Sequence, residues 1–209
     1  MRYIRPVSTP LDPAEADWST RHSVLSTARR TAALVNVLSG GPPGPGSGTG
    51  PGPGAGSDPA PDAVAEVLRA HGEIDPVDLT SRDVEGMRAA AVLLREVFAA
   101  DSADAAAHAL NRLLGAHTGA LRLTSHQGTT PWHPHLDRGD DAPWPEWFLA
   151  SSCMALAVLV WDRQRPPGRV CASTACRNVF IRQGSGPERR YCSRRCATRE
   201  RVAAHRRRG

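Results

Sequence analysis

Apolar positions recur at helical spacing along much of the chain. Val24, Ala28, Ala32, Val35 and Leu38 return every three or four residues, so Ser19 to Leu38 reads as a helix. Asp62 to Ala70 predicts a short helix ended near Gly72. The clearest pattern spans Thr80 to Ala100. There Val84, Met87, Ala91, Leu94 and Phe98 make one stripe, and Thr80 with Asp83 resembles a capping box. Ser102 to Leu114 predicts a further helix, stopped by Gly115. Leu121 to Thr124 alternates as a strand does, Gln127-Gly128 suits a turn, and Thr130 to Leu136 can return. Pro131 and Pro134 confine that return to an edge. Pro145 to Arg163 is apolar almost all round, as the buried centre of a domain is.

The breaks in this pattern divide the chain. Met1 to Asp17 carries three prolines and little periodicity, and reads as a flexible arm. Gly40 to Ser57 has Gly or Pro at 14 of 18 positions; it offers nothing to bury and reads as a disordered insertion acting as a spacer. Pro166-Pro167-Gly168 punctuates the end of the last apolar helix. The expected architecture is mainly α, formally α+β. A helical domain with a small hairpin covers residues 18–165, and a separate module covers 168–209.

Charge sharpens that division. The net charge of +5 is unevenly placed: Met1 to Asp162 holds 12 Arg against 19 Asp and Glu, whereas Arg163 to Gly209 holds 14 Arg against 2 Glu. A mildly acidic body with a strongly basic end suggests a polyanion-binding module on the second unit. All 26 basic residues are arginine, which with frequent Ala, Gly and Pro fits a GC-rich genome. The longest apolar run, Trp147 to Trp161, spans 15 positions, short of the ~20 a membrane-crossing helix needs. The first residues lack an apolar stretch of signal-peptide length, so a cytoplasmic location is expected.

Four of the five cysteines lie in the basic module. Cys171, Cys176, Cys192 and Cys196 have the spacing C-x4-C-x15-C-x3-C. Two close pairs separated by a short loop can clamp a tetrahedral ion, and zinc takes four thiolates in closed structural sites. A segment of this size with few large apolar residues rarely folds alone, so one structural zinc is expected to supply the missing energy. Val179 to Arg182 and Arg189 to Tyr191 flank turn chemistry at Gln183 to Pro187, which predicts a hairpin between the pairs. Ser193 can cap a helix running to about Arg208, giving a treble-clef-like order. At 100° per residue, Cys196, Glu200 and Ala203 face the zinc. Arg194, Thr198, Arg201, His205 and Arg208 fall opposite, while Arg206 and Arg207 flank the zinc side further down; the first five with Arg206 are the candidate nucleic-acid contacts. Arg189, Arg190 and Arg199 are better placed to offset the charge of a zinc tetrathiolate.

Arg189-Arg190-Tyr191-Cys192-Ser193, then Cys196-Ala197-Thr198-Arg199, then Val202 and His205-Arg206-Arg207, resemble the CGNR zinc finger. Ala33-Leu34-Val35-Asn36, Leu93-Leu94-Arg95-Glu96 and Ala109 to Leu114 are similar to the ABATE domain. That domain precedes this finger in proteins regarded as stress-induced transcription regulators. The chain departs from the finger's pattern at Ala197 and Thr198, which replace Gly and Asn. Its last cysteine pair is one residue shorter, Tyr191 replaces Trp, and Arg182 stands where Asp is common. All four ligands remain.

Other residues change the picture less. Trp132-His133-Pro134-His135 contains a His-x-His pair, but no third ligand is evident near it in sequence, and exposed strand-end histidines are the expectation. Cys153 reads as a buried core thiol. Trp144, Trp147, Phe148 and Trp161 read as core more readily than as a ligand pocket. No phosphate loop or nucleophilic triad is visible, so an enzyme is not expected. The functional expectation is a zinc-dependent protein that binds nucleic acid, duplex DNA first, and regulates transcription. RNA binding and an adaptor gripping an acidic protein are the alternatives. The helical domain leaves room for a small-molecule or protein effector and for a homodimer.

Overall fold

The computed structural model describes residues 23–40, 59–182 and 189–207. The arm at 1–17, the first residues of the expected Ser19 helix, the insertion from 41 to 57, the turn at Gln183 to Pro187, and Arg208 lie outside the described residues. In chain order the elements are α1 Val24–Leu38, α2 Pro61–Ala70, α3 Ser81–Ala99, α4 Ala103–His117, β1 Arg122–Thr124 and β2 His133–His135. They continue with α5 Trp144–Arg163, β3 Gly168–Val170, β4 Val179–Ile181 and α6 Arg194–Arg206.

Local chemistry explains most helix starts. Ser23 has extended backbone and its hydroxyl accepts from the Ser26 amide, which starts α1 at Val24. Thr80 and Asp83 form the expected reciprocal cap of α3. Ser102 caps α4, which runs through Gly115 to His117 instead of stopping there. Gly115 faces open space and breaks nothing. The helix ends where Thr118 turns extended and its hydroxyl bonds back to the Leu114 carbonyl at 2.8 Å.

α5 is the centre, packed against α1, α3 and α4. It buries Phe148, Leu149, Ala150, Ser152, Cys153, Ala155, Leu156 and Leu159. At 20 residues it is longer than the apolar run alone implied, and by length and composition it would pass for a membrane span, but half of it is buried inside the protein. Cys153 is fully buried, and burial pushes its thiol pKa up to about 12. β1 and β2 pair antiparallel, with Arg122 opposite His135 and Thr124 opposite His133.

The packing does not break at Pro166-Pro167. β3 and β4 form a hairpin that lies on α1 and α3, and Val179 and Ile181 belong to the same apolar core as the helices. Gly168 marks the closest approach: a Cβ there would sit 2.5 Å from both the Phe98 ring and the Phe180 carbonyl oxygen. The Asn36 amide grips β4 from α1, accepting from Val179 N at 2.7 Å and donating to Val179 O at 3.0 Å. Arg163 Nη1 donates to the Arg182 carbonyl at 2.5 Å.

Candidate metal centre and basic helix

Strand pairing in the C-terminal module differs from the expectation, and the difference positions the cysteines. β4 does not pair with Arg189 to Tyr191. It pairs with β3, and Cys171 and Cys176 lie in the loop that joins them. The Cys171 amide donates to the Asn178 carbonyl at 2.8 Å, closing the knuckle. Arg189 and Arg190 run past its other side, where the Arg190 carbonyl accepts from Ala172 N at 3.0 Å. This crossing brings Cys192 back to the knuckle. Ser193 then caps α6 by accepting from the Cys196 amide, which sets Cys196 in the first turn.

The four thiols converge. One sulfur from each of Cys171, Cys176, Cys192 and Cys196 lies within 4.8 Å of the others. Cys176 Sγ and Cys196 Sγ each stand 3.7 Å from Cys192 Sγ. Four thiolates at ~2.3 Å from one tetrahedral zinc are separated by about 3.8 Å, so the spacing suits that ion. All four cysteines are free of disulfides; Cys171, Cys176 and Cys196 are buried and Cys192 is partly so.

The surroundings suit a negative centre. The Cys192 amide points at Cys171 Sγ at 3.4 Å, and the Asn178 amide bonds the Cys176 sulfur. Arg95, on α3, lies close enough to favour charge on Cys176, and its buried Nη1 has no hydrogen-bond partner. A tetrathiolate gives that cation its counter-charge. Burial, with the other thiols crowding it, pushes Cys192 up in pKa, so an ion entering the cluster has to displace protons.

Residues 168–209 match the family model of the CGNR zinc finger. The C-terminal module is a CGNR zinc finger. Its four cysteines form the site for one structural zinc ion. The matched segment is confined to this module, and no curated protein matches the chain.

The finger's helix has two unlike sides. Only Cys196 is buried on α6. Glu200, one turn on, accepts from Ser173 Oγ at 2.7 Å and from the Thr174 amide at 3.3 Å, and so holds α6 against the knuckle. These bonds lower the Glu200 pKa, the Ser173 hydroxyl foremost. Arg194, Thr198, Arg201, His205 and Arg206 are all exposed. Arg199, expected on the zinc side, is exposed as well. Arg189 is built into the finger: its Nε and Nη2 donate to the Tyr191 and Cys192 carbonyls at 2.9 and 2.6 Å.

A cavity of about 650 Å³ opens in the helical part. Trp144 and Trp147 line it, their rings perpendicular at 5.3 Å, whereas Phe148 is in the core and Trp161 is 75% exposed. The Arg30 guanidinium stacks 4.3 Å from the Trp147 ring and pairs with Glu73 at 3.2 Å. Burial raises the Glu73 pKa, and Arg30 works against that. His133 and His135 line the same cavity, joined by His126. The sequence reading missed His126 because it belongs to the turn. Positive φ at His126, Gln127 and Gly128 folds that turn back over the strands.

Proposed function

We propose that the protein is a zinc-dependent nucleic-acid-binding regulator that acts on transcription in the cytoplasm and engages duplex DNA through the outward side of α6. The observation that carries this reading is the division of α6. Zinc ligation and Glu200 tie one side to the finger, leaving Arg194, Arg201 and Arg206 exposed with Thr198 and His205. Arginines on such a helix suit phosphates, while Thr198 and His205 between them suit base edges. The concentration of 14 arginines in the last 47 residues supplies the long-range attraction. Single-stranded RNA is less favoured. The finger's two aromatic residues give little stacking surface, since Phe180 is 8% exposed and Tyr191 is partly buried. On this reading the protein is not an enzyme, and the ABATE-like helical part receives an effector in the tryptophan-lined cavity.

The test is binding of the full, zinc-loaded chain to duplex DNA, structured RNA and heparin across a salt series. Arg201→Ala should weaken duplex binding and reduce the slope of log affinity against log salt by about 0.9, the loss of one phosphate contact. Thr198→Ala and His205→Ala should shift sequence preference more than affinity. Duplex affinity untouched by Arg194→Ala and Arg201→Ala in folded protein would overturn the reading in favour of an adaptor for an acidic protein.

A further inference from the structure

We infer that His126, His133 and His135 form a second metal site, for a divalent transition ion, at the wall of the cavity in the helical part. The inference is independent of what the finger binds. The three imidazoles each bring a ring nitrogen within 4.8 Å of the others. Their ring centroids lie 4.8 to 5.2 Å apart and no two rings stack flat. Rings converging edge-on around a point are arranged as ligands are.

Hydrogen bonding fixes which nitrogens face inward. His133 Nδ1 lies 2.8 Å from the Pro131 carbonyl oxygen, and His135 Nδ1 lies 2.8 Å from Asp137 Oδ2. Both partners are acceptors only, so both Nδ1 atoms carry the hydrogen. Each neutral ring then presents a lone pair at Nε2. Those two Nε2 atoms are 2.9 Å apart. Two lone pairs at that distance repel unless a cation lies between them. Bonds of ~2.1 Å to one ion put adjacent nitrogens about 3.0 Å apart at a right angle and about 3.4 Å apart in a tetrahedron.

The alternative cation is a proton shared by the two rings. A shared proton takes up no cobalt, so cobalt titration distinguishes it from a metal. A metal ion instead uses the lone pairs of neutral rings. The outer partners match as well. A ligating histidine ordinarily donates its other N–H to a carboxylate or a backbone carbonyl, which fixes the ring and raises its basicity. Asp137 does this for His135 and Pro131 for His133, and Asp140 Oδ2 stands 3.6 Å from His126 Nδ1. Three imidazoles select zinc, nickel, cobalt or copper over calcium or magnesium. They leave a coordination position for a small molecule in the cavity, as three-ligand sites do.

The experiment is cobalt(II) titration of the untagged, metal-stripped full chain, read by absorption and by bound metal per chain. Two equivalents are expected, one with thiolate charge-transfer bands from the finger and one without. His133→Ala and His135→Ala should each lose the second equivalent and keep the first. His117→Ala, an exposed histidine elsewhere, should keep both. Circular dichroism confirms that the variants fold, and the wild-type titration needs no variant. A wild-type chain that takes up a single equivalent, or a second equivalent that survives loss of all three histidines, overturns the inference.

Discussion

Asn36→Ala isolates one polar contact by which the helical bundle holds the finger. Hydrogen bonds of the β3–β4 ladder run between Cys171 and Asn178 and between Pro167 and Arg182. In an antiparallel pair such positions alternate with unbonded ones, so Val179, opposite Val170, turns its N–H and C=O away from β3. The Asn36 amide meets both, at 2.7 and 3.0 Å. Each bond contributes about 0.5–1.5 kcal/mol net, and a buried backbone group left without a partner costs about 1–3 kcal/mol. The site is half-buried, so water recovers part of this, and about 2–3 kcal/mol is the expected loss. For a chain of this size each kcal/mol lowers Tm by about 2–4 °C, which gives a drop of about 4–12 °C. Thermal unfolding of the zinc-loaded protein by circular dichroism reads it directly. Asn36→Asp should do no better, because its carboxylate accepts from Val179 N but faces the Val179 carbonyl with no donor. A change under about 0.5 kcal/mol, the range of ordinary surface substitutions, would refute the reasoning.

Gly168→Ala should destabilise by about 1–3 kcal/mol through overpacking against Phe98, seen as a lower denaturant midpoint. Cys192→Ser should lose the finger's zinc and the helical signal of α6 while the tryptophan environment of the bundle persists, as metal analysis and far- and near-ultraviolet circular dichroism would show. The Thr80 hydroxyl and amide hold the Asp83 carboxyl below its ordinary value of 3.8. The capping box therefore stabilises fully above that value and is lost as pH falls through the lower, folded one. Asp83 is only partly buried, so Asp83→Ala should cost no more than about 1 kcal/mol at neutral pH, and acid titrations of the two proteins should converge at low pH.

Elements whose signal is local could be read from the sequence. The Thr80–Asp83 cap, the Ser193 cap and the all-round apolar α5 each depend on residues within a turn or two. So does the metal centre, because paired cysteines announce a ligand set before any fold is known. Features set by distant partners could not be read this way. Val179 to Ile181 reads as a strand, but nothing local says that it pairs backwards across the knuckle and buries its side chains among the helices. Asn36 looks like a polar residue on a helix face until β4 supplies its partner. His126 stands seven residues before His133, and only a turn with positive φ brings the two rings together. Gly115 misled in the opposite direction, since a glycine ends a helix only where the next residues also leave it.

Zinc joins two pieces of chain that are held in different ways. The knuckle that offers Cys171 and Cys176 grows from strands embedded in the bundle. Among the described residues, the piece that offers Cys192 and Cys196 is tied to the knuckle, besides the ion, by the Glu200 and Arg190 bonds, the Cys192 amide at Cys171 Sγ and the Arg189 guanidinium over the Phe180 ring. The metal therefore acts as a rivet, and it sets a heading. With it in place, the arginine side of α6 points in one fixed direction from the bundle, so a rotation of α1 or α3 is transmitted to that side. Without it, α6 loses its anchor at Cys196 and that heading is lost. A molecule entering the cavity between the tryptophans could then aim the helix only while the rivet holds.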